Sequence, residues 1–242
     1  MKLLLILCIS LLFRASTLAQ PPTIQVSKLA ENFYVHTSYN TYQGQLVPSN
    51  GMIVNTPKGV ILIDTAWGDE QTQQLLTWIK KELRQKVILV IVTHAHSDRM
   101  GGIRTITKEK IRIVSTPFIR ERAGQINENY GEFRPEPALS SDTTLTFGSL
   151  KTRVFYPGKG HAPENIVVWF PAQKILFGGC FIKSVASTNL CNLSDADIPE
   201  WKLSLHRTEE KFPKPNVVIP GHGDPGGPEL LTRTRELLDI GK

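Results

Sequence analysis

The order of apolar and polar positions along the chain predicts short strands and helices in two successive groups. Two apolar runs, 52–55 and 60–64, flank a Pro- and Gly-containing turn and predict a hairpin. Apolar side chains at helical spacing predict a helix over 69–84, and the β-branched run 87–92 predicts a strand covered on both faces. The remaining elements predicted for this half are helices over 101–109 and 117–126 and a strand at 111–115.

A polar, Pro-containing stretch at 127–142 has no apolar period and predicts a long loop between two halves. The strand pattern then resumes and again ends in helices, which predicts two packed sheets with helices outside them. The elements predicted for the second half are strands at 143–147, 151–156, 166–170, 174–177 and 216–219 and helices over 198–212 and 227–239.

The first segment of the chain differs from both halves. A basic start, an apolar run at 3–13 and small residues up to Ala19 predict a secretory signal peptide over residues 1–19. An uncleaved anchor is the alternative, but the run is short for a membrane span. A lipid anchor on Cys8 is disfavoured because this residue lies inside the run. We expect residues 20–242 to form a single periplasmic domain, monomeric and without membrane contact.

Composition excludes several classes of protein. The chain has 242 residues, of which 40% are hydrophobic, so it is not a disordered tail. Its net charge of +6 is scattered without a run of five like charges, which predicts no nucleic-acid partner. Three cysteines are too few for a disulfide framework, so apolar burial must stabilise the fold.

The candidate chemistry lies just beyond the ends of four predicted strands. Imidazole, thiolate and carboxylate groups occur there, often beside glycines that allow the backbone to turn sharply. This donor set suits a borderline divalent ion such as zinc. The six residues are His94, His96 and Asp98 after the run 87–92, and His161, Cys180 and His222 after three later strands.

Simpler explanations exist for individual members of this set. A histidine after a strand is usually a hydrogen-bonding surface residue, but four of the six histidines share this setting. His36, inside a strand-like segment, and His206, on a predicted helix, do not share it. In an oxidising compartment Cys180 could pair with Cys191, although binding to a metal would shield the Cys180 thiolate. We interpret Cys191 as a bystander.

Together these motifs resemble the metallo-β-lactamase fold family over nearly all of residues 25–240. The resemblance implies an α+β fold, an αβ/βα four-layer sandwich in which two mixed sheets pack together with helices on the outer faces. Glyoxalase II and related hydrolases have His after the Asp and a bridging Asp in the later strand. Here Arg99 follows Asp98 and Cys180 takes the later position, which is similar to the di-zinc class B β-lactamases.

The resemblance also implies roles for single residues. Lys183 would pair with the substrate carboxylate, Asn192 would orient or polarise the lactam carbonyl, and the segment 40–49 would be a mobile loop that closes over substrate. Lys183 could instead be an exposed, solvated lysine, and Asn192 could be a turn residue. Arg99 would place its charge beside Asp98 and the Cys180 thiolate, and the alternative is a surface arginine. The implied zinc ligands are His94, His96 and His161 for the first ion, and Asp98, Cys180 and His222 for the second.

The resulting expectation is an exported enzyme that uses two Zn²⁺ ions. It would open the β-lactam amide of penicillins, cephalosporins and carbapenems by attack of zinc-bound hydroxide, and so confer antibiotic resistance. A lactonase or thioesterase-like hydrolase is one alternative, which the thiol at Cys180 and the lysine at Lys183 disfavour. A non-catalytic zinc-binding protein is another, and its metal site would be closed.

Overall fold

The computed structural model describes residues 22–42, 44–126, 130 and 132–241. The predicted signal peptide, 1–19, lies outside these residues, as do positions 127–129 and 131 of the predicted long loop. The first sheet contains, in spatial order, β1 (Gln25–Ala30), β2 (Phe33–Tyr42), β3 (Gln45–Thr56), β4 (Gly59–Ile63), β5 (Val87–Ile91) and β6 (Arg112–Val114).

A second sheet of five strands is formed by the later part of the chain. Both sheets are mixed, because β4, β5 and β6 run parallel in the first and β10 and β11 run parallel in the second. Every other neighbouring pair is antiparallel. The strands of the second sheet are, in spatial order, β11 (Val217–Pro220), β10 (Ile175–Gly179), β9 (Val167–Phe170), β8 (Leu150–Phe155) and β7 (Asp142–Phe147).

Six helices accompany the sheets in the described part of the chain. None of these helices is long and apolar enough to cross a membrane. A π-helical turn, Ile79–Leu83, extends the first helix. The helices are α1 (Asp69–Trp78), α2 (Ser97–Met100), α3 (Ile103–Lys108), α4 (Pro117–Ile126), α5 (Ile198–Lys211) and α6 (Glu229–Asp239).

The alternation of side chains along the second sheet explains the layered packing. Val168 and Phe170 of β9 belong to the core shared with the first sheet, and the Phe170 ring meets Phe33 edge-on at 5.2 Å. Val167 and Trp169, between them, instead join a second core with α5 and α6. The first sheet shares its core with α1 and α3. The predicted four-layer sandwich is therefore confirmed.

Hydrogen bonds join the two sheets at one edge. The Asn50 side chain of β3 donates to the carbonyl oxygens of Pro220 and Gly223, at 3.1 and 2.7 Å. On the other side the backbone amide of Ile166 donates to the Thr93 carbonyl at 2.9 Å. These contacts tie the loop after β11 to the first sheet and the loop after β5 to the start of β9, and both loops carry candidate ligands.

Most predicted elements are confirmed, with boundary shifts of one or two residues, but the N-terminal part differs. The strand β1 was not predicted, and only the strand-like segment around His36 indicated β2. The segment 40–49, expected to be a mobile loop over the substrate, lies at the outer end of the β2–β3 hairpin, with Asn40 paired to Val47 and Tyr42 to Gln45, and Tyr42 and Val47 line the cavity described below. Polar and apolar residues do not alternate cleanly in this segment. Its conformation therefore depends on main-chain pairing between β2 and β3.

Candidate metal centre

The six predicted ligands converge at one edge of the sandwich. Strands β8, β10 and β11 run in the same direction, because two antiparallel steps separate β8 from β10. The residues that follow these three strands therefore meet at one edge of the second sheet, and the loop after β5 reaches the same edge. His36 is instead buried within β2, and His206 lies exposed on α5.

Three imidazoles form the first donor group. His94 Nε2 lies 3.1 Å from His96 Nδ1, and the His161 ring centroid is 5.2 Å from each of the other two. Burial lowers the pKa of His94 and of His161 well below the usual value, so both rings are neutral at pH 7. Neutral imidazole is the form that binds a metal ion.

A carboxylate, a thiol and an imidazole form the second donor group. Cys180 Sγ lies 3.2 Å from Asp98 Oδ2 and 3.3 Å from His222 Nε2, and the latter two atoms are 3.3 Å apart. His222 Nδ1 donates to the Pro48 carbonyl at 2.6 Å, which directs Nε2 towards the group. Burial opposes protonation of His222, but Cys180 and Asp98 outweigh it and raise the pKa of His222 to about 10, so a metal ion that binds here would displace the proton from this ring.

The two groups adjoin and fit zinc. Asp98 Oδ1 is 4.0 Å from His94 Nε2, and single donor atoms of His94, His161 and Cys180 lie within 4.8 Å of one another. Zinc binds nitrogen, sulfur and oxygen donors at about 2.0–2.3 Å, so donors to one ion lie a few ångströms apart. The spacing and the chemistry of the donors therefore both suit this ion.

Arg99 lies beneath the second group and is fully buried, so the surface alternative is wrong. Its Nη2 donates to Asp98 Oδ2 at 2.8 Å, to Cys180 Sγ at 3.0 Å and to the Gly221 carbonyl at 3.0 Å. Burial would raise the pKa of Asp98, but the Arg99 guanidinium outweighs it and the pKa lies well below its usual range. Asp98 is therefore ionised at neutral pH.

A carboxylate that the sequence did not single out forms a hydrogen bond with the His96 ring nitrogen that faces away from His94. Asp195 Oδ2 accepts a hydrogen bond from His96 Nε2 at 2.8 Å, and Arg122 on α4 donates to Asp195 Oδ1 at 2.6 Å. This hydrogen bond fixes the orientation of the ring, with Nδ1 directed at His94 Nε2 at 3.1 Å. Asp195 lies in a polar loop, where nothing in the sequence pattern distinguished it from other surface acids.

Close backbone approach at this edge requires glycine. A Cβ atom on Gly221 would lie 2.6 Å from Cys180 Sγ and 2.5 Å from the Cys180 backbone nitrogen. Gly179, just before the thiol, has a φ of +54°, in the left-handed region that favours glycine.

The two cysteines among the described residues are unpaired: Cys180 is buried in the donor group and Cys191 is exposed.

A cavity of about 510 Å³ opens onto both donor groups, with His96, Asp98, His161 and His222 among its lining residues. Such a volume suits a small organic ligand.

Lys183 and Asn192 also line this cavity. Lys183 is only 4% exposed, so the solvated alternative is wrong, and its Nζ lies 5.3 Å from the centroid of the Trp201 ring. Asn192 Oδ1 accepts a hydrogen bond from the Ser194 amide at 3.1 Å, as in the turn alternative.

The fold and the donors define a class of zinc-dependent hydrolases, and the model of the metallo-β-lactamase superfamily matches residues 44–222. The chain belongs to this family. It is 42% identical over 216 residues to metallo-β-lactamase type 2 of Bacillus cereus, covering 89% of this chain and 83% of that protein. With the type 2 enzyme of Bacteroides fragilis the identity is 34% over 245 residues, covering 99% and 96%.

Solved structures agree with this assignment. The metallo-β-lactamase from Pontibacter korlensis superposes with a TM-score of 0.85 at 40% identity, covering 90% of this chain and 99% of that one. The mono-zinc form of FIM-1 from Pseudomonas aeruginosa gives a TM-score of 0.84 at 33% identity, covering 91% and 97%. The resemblance and the fold predicted from the sequence motifs are thereby confirmed.

Proposed function

We propose that the protein hydrolyses the β-lactam amide of penicillins, cephalosporins and carbapenems with two zinc ions. The observation that carries this proposal is the arrangement of two adjoining donor groups and a buried lysine around one cavity. Metallo-β-lactamase type 2 relatives at 33–42% identity support the lactam as substrate. The proposed ligands are His94, His96 and His161 for the first ion, and Asp98, Cys180 and His222 for the second.

Each donor group suits its proposed ion. The three imidazoles would hold the first ion, and a site with three protein donors leaves room for water or substrate. Bound zinc lowers the pKa of a coordinated water from about 15.7 towards 7 and polarises a carbonyl oxygen. The second group contains a carboxylate and a thiol, which loses its proton when a metal binds, so these donors would offset the charge of the second ion. Asp195, through His96, orients one imidazole of the first group.

Two further residues are proposed to bind the substrate. The Lys183 ammonium would pair with the carboxylate of the bicyclic β-lactam, because Lys183 lines the cavity next to the donor groups and opposite charges attract strongly when solvent is excluded. Asn192 would donate from its side-chain amide to the lactam carbonyl oxygen, while its own oxygen is occupied by the Ser194 amide. Lys183 therefore acts mainly on binding and Asn192 on the carbonyl.

Hydrolysis of a chromogenic cephalosporin tests the proposal. We expect activity in zinc-loaded protein, loss on treatment with a chelator and recovery on return of zinc. His161→Ala should remove most of the activity, whereas His206→Ala, on the exposed face of α5, should retain it. Activity that survives complete zinc removal, or an active His161→Ala protein, would contradict the proposal.

The two alternative functions are separate outcomes of the same assay. Faster turnover of lactone or thioester substrates than of any β-lactam would favour the lactonase or thioesterase-like hydrolase. Tight zinc binding without turnover of any of these substrates would favour a zinc-binding protein. The cavity that opens on both donor groups argues against the closed site that such a protein needs.

We also propose that residues 1–19 direct export and are removed, that the mature protein is a periplasmic monomer, and that it confers antibiotic resistance. The motif at the start of the sequence supports export. A bacterial host that expresses the full chain should contain active protein in its periplasmic fraction and survive higher β-lactam concentrations. A chain that begins at Gln20 after an initiating Met should remain in the cytoplasm and protect poorly, and an equal effect of both chains would contradict export.

A further inference from the structure

A second thiol lies at the rim of the cavity, and the proposed hydrolysis does not use it. Cys191 is exposed and unpaired, and it lines the cavity together with Lys183. Its backbone has a φ of +60°, and its amide donates to Asn189 Oδ1 at 2.9 Å. The turn therefore holds the thiol at the cavity rim, where solvent and small molecules can reach it.

Lys183 provides an independent indication that this rim receives an anion. Its side chain is 4% exposed, and no described residue accepts a hydrogen bond from its Nζ or forms an ion pair with it. The Nζ faces the Trp201 ring at 5.3 Å and lies at the cavity wall, so a carboxylate that enters the cavity would give this ammonium an anionic partner where little solvent competes. Burial lowers the pKa of Lys183, while the thiols of Cys180 and Cys191, when ionised, act to raise it.

We propose that Cys191 is a site of covalent modification by small disulfides that carry a carboxylate, and that Lys183 guides them there. The Cys191 thiolate attacks one sulfur of the disulfide and forms a new S–S bond, and the other half leaves as a thiolate. The proton of Cys191 goes to solvent, and exchange conserves electrons, so no further oxidant is needed. The attached group occupies the cavity until a thiol reductant removes it.

The geometry selects Cys191 over Cys180. Reactive cysteines are partly exposed and lie near positive charge, whereas buried thiols react slowly. Although Arg99 lies beside Cys180, this thiol is only 2% exposed, whereas the Cys191 thiol is exposed, so access decides in favour of Cys191. The modification goes beyond the proposed lactam hydrolysis and does not need it, because labelling can be measured without any β-lactam.

Labelling kinetics on the zinc-loaded full chain test the proposal. The probes are dithiobis(nitrobenzoate), an anionic disulfide, and dithiodipyridine, a neutral one, each normalised to its rate with mercaptoethanol. Cys191→Gly, which suits the left-handed backbone, serves as the subtraction control, so that Cys8 and Cys180 do not contribute. Lys183→Met keeps the length of the side chain, and Lys81→Ala removes an exposed lysine as the matched control.

We expect about one equivalent of fast label that is absent from Cys191→Gly. At low salt the anionic probe should react about tenfold faster than the neutral one after normalisation. This preference should disappear in Lys183→Met, persist in Lys81→Ala and shrink in the unaltered protein at high salt. Labelling equal to that of Cys191→Gly, equal normalised rates for the two probes, or a preference that is insensitive to salt would each overturn the proposal.

Discussion

The buried arginine beneath the second donor group allows a quantitative prediction. Arg99 is fully buried, and its guanidinium contacts Asp98 and Cys180 directly and Asp64 at 3.4 Å. Arg99→Met keeps an unbranched chain but leaves two buried carboxylates without their cation. Removing one partner of a buried ion pair typically costs about 3–5 kcal/mol. We expect a loss of this size in the free energy of unfolding of the metal-free protein at pH 8.

The pH dependence of this loss follows from Asp64. Burial raises the pKa of Asp64 to about 7, although Arg99 acts to lower it. Without Arg99 the pKa of Asp64 should rise further, so the carboxyl takes up a proton more readily in the folded variant. The folded variant then binds more protons than its unfolded chain, so lowering the pH favours it. The destabilisation by Arg99→Met should therefore be smaller at pH 6 than at pH 8.

Urea unfolding of the metal-free protein, followed by circular dichroism at both pH values, measures these quantities. Arg112→Met is the matched control, because Arg112 pairs with Glu136 on the surface at 57% and 52% exposure. Such a pair contributes about 1 kcal/mol or less. A loss of less than about 1 kcal/mol in Arg99→Met, equal to the control, would refute the account of Arg99.

Three further predictions concern single residues. Lys183→Met should raise KM roughly ten- to a hundredfold with little change in kcat, and a fall confined to kcat would contradict its role in binding. Asp195→Asn should weaken zinc binding about 10–100-fold in chelator competition, because His96 loses its carboxylate partner, whereas unchanged affinity would refute this. Arg153 lowers the pKa of Asp142 to about 2, so Asp142→Asn should lower the free energy of unfolding at pH 7. The difference in stability between the two proteins should shrink below about pH 4, and a difference that does not change with pH would contradict this prediction.

The parts of the fold with strong local patterns could be predicted from the sequence. The continuous apolar run predicts β5, because a strand that is buried on both faces needs apolar residues throughout. The helical period of apolar residues predicts α1, because only one face of that helix is buried. The strand β1 and the full length of β2 could not be predicted, since β2 owes its conformation to pairing with β3 along ten residues. Cross-strand pairing is set by the partner, which a local pattern does not reveal.

The donor residues could be predicted for a related reason. Each lies beside a strand end, and parallel strands bring such ends together at one edge, as for Cys180 and His222. The residues that support them could not be predicted, because their roles depend on distant contacts. Asp195 meets His96 across 99 positions of the chain, and Arg122 reaches Asp195 across 73. Nothing near either residue in the sequence signals that contact.

The most direct test of the central claim is a crystal structure of the zinc-loaded protein with anomalous data collected at the zinc edge. We predict two peaks, each with its three protein donors at about 2.0–2.3 Å. One should lie among His94, His96 and His161, and the other among Asp98, Cys180 and His222. A peak away from these side chains, or a Cys180 thiol that binds no metal at full zinc occupancy, would contradict the account.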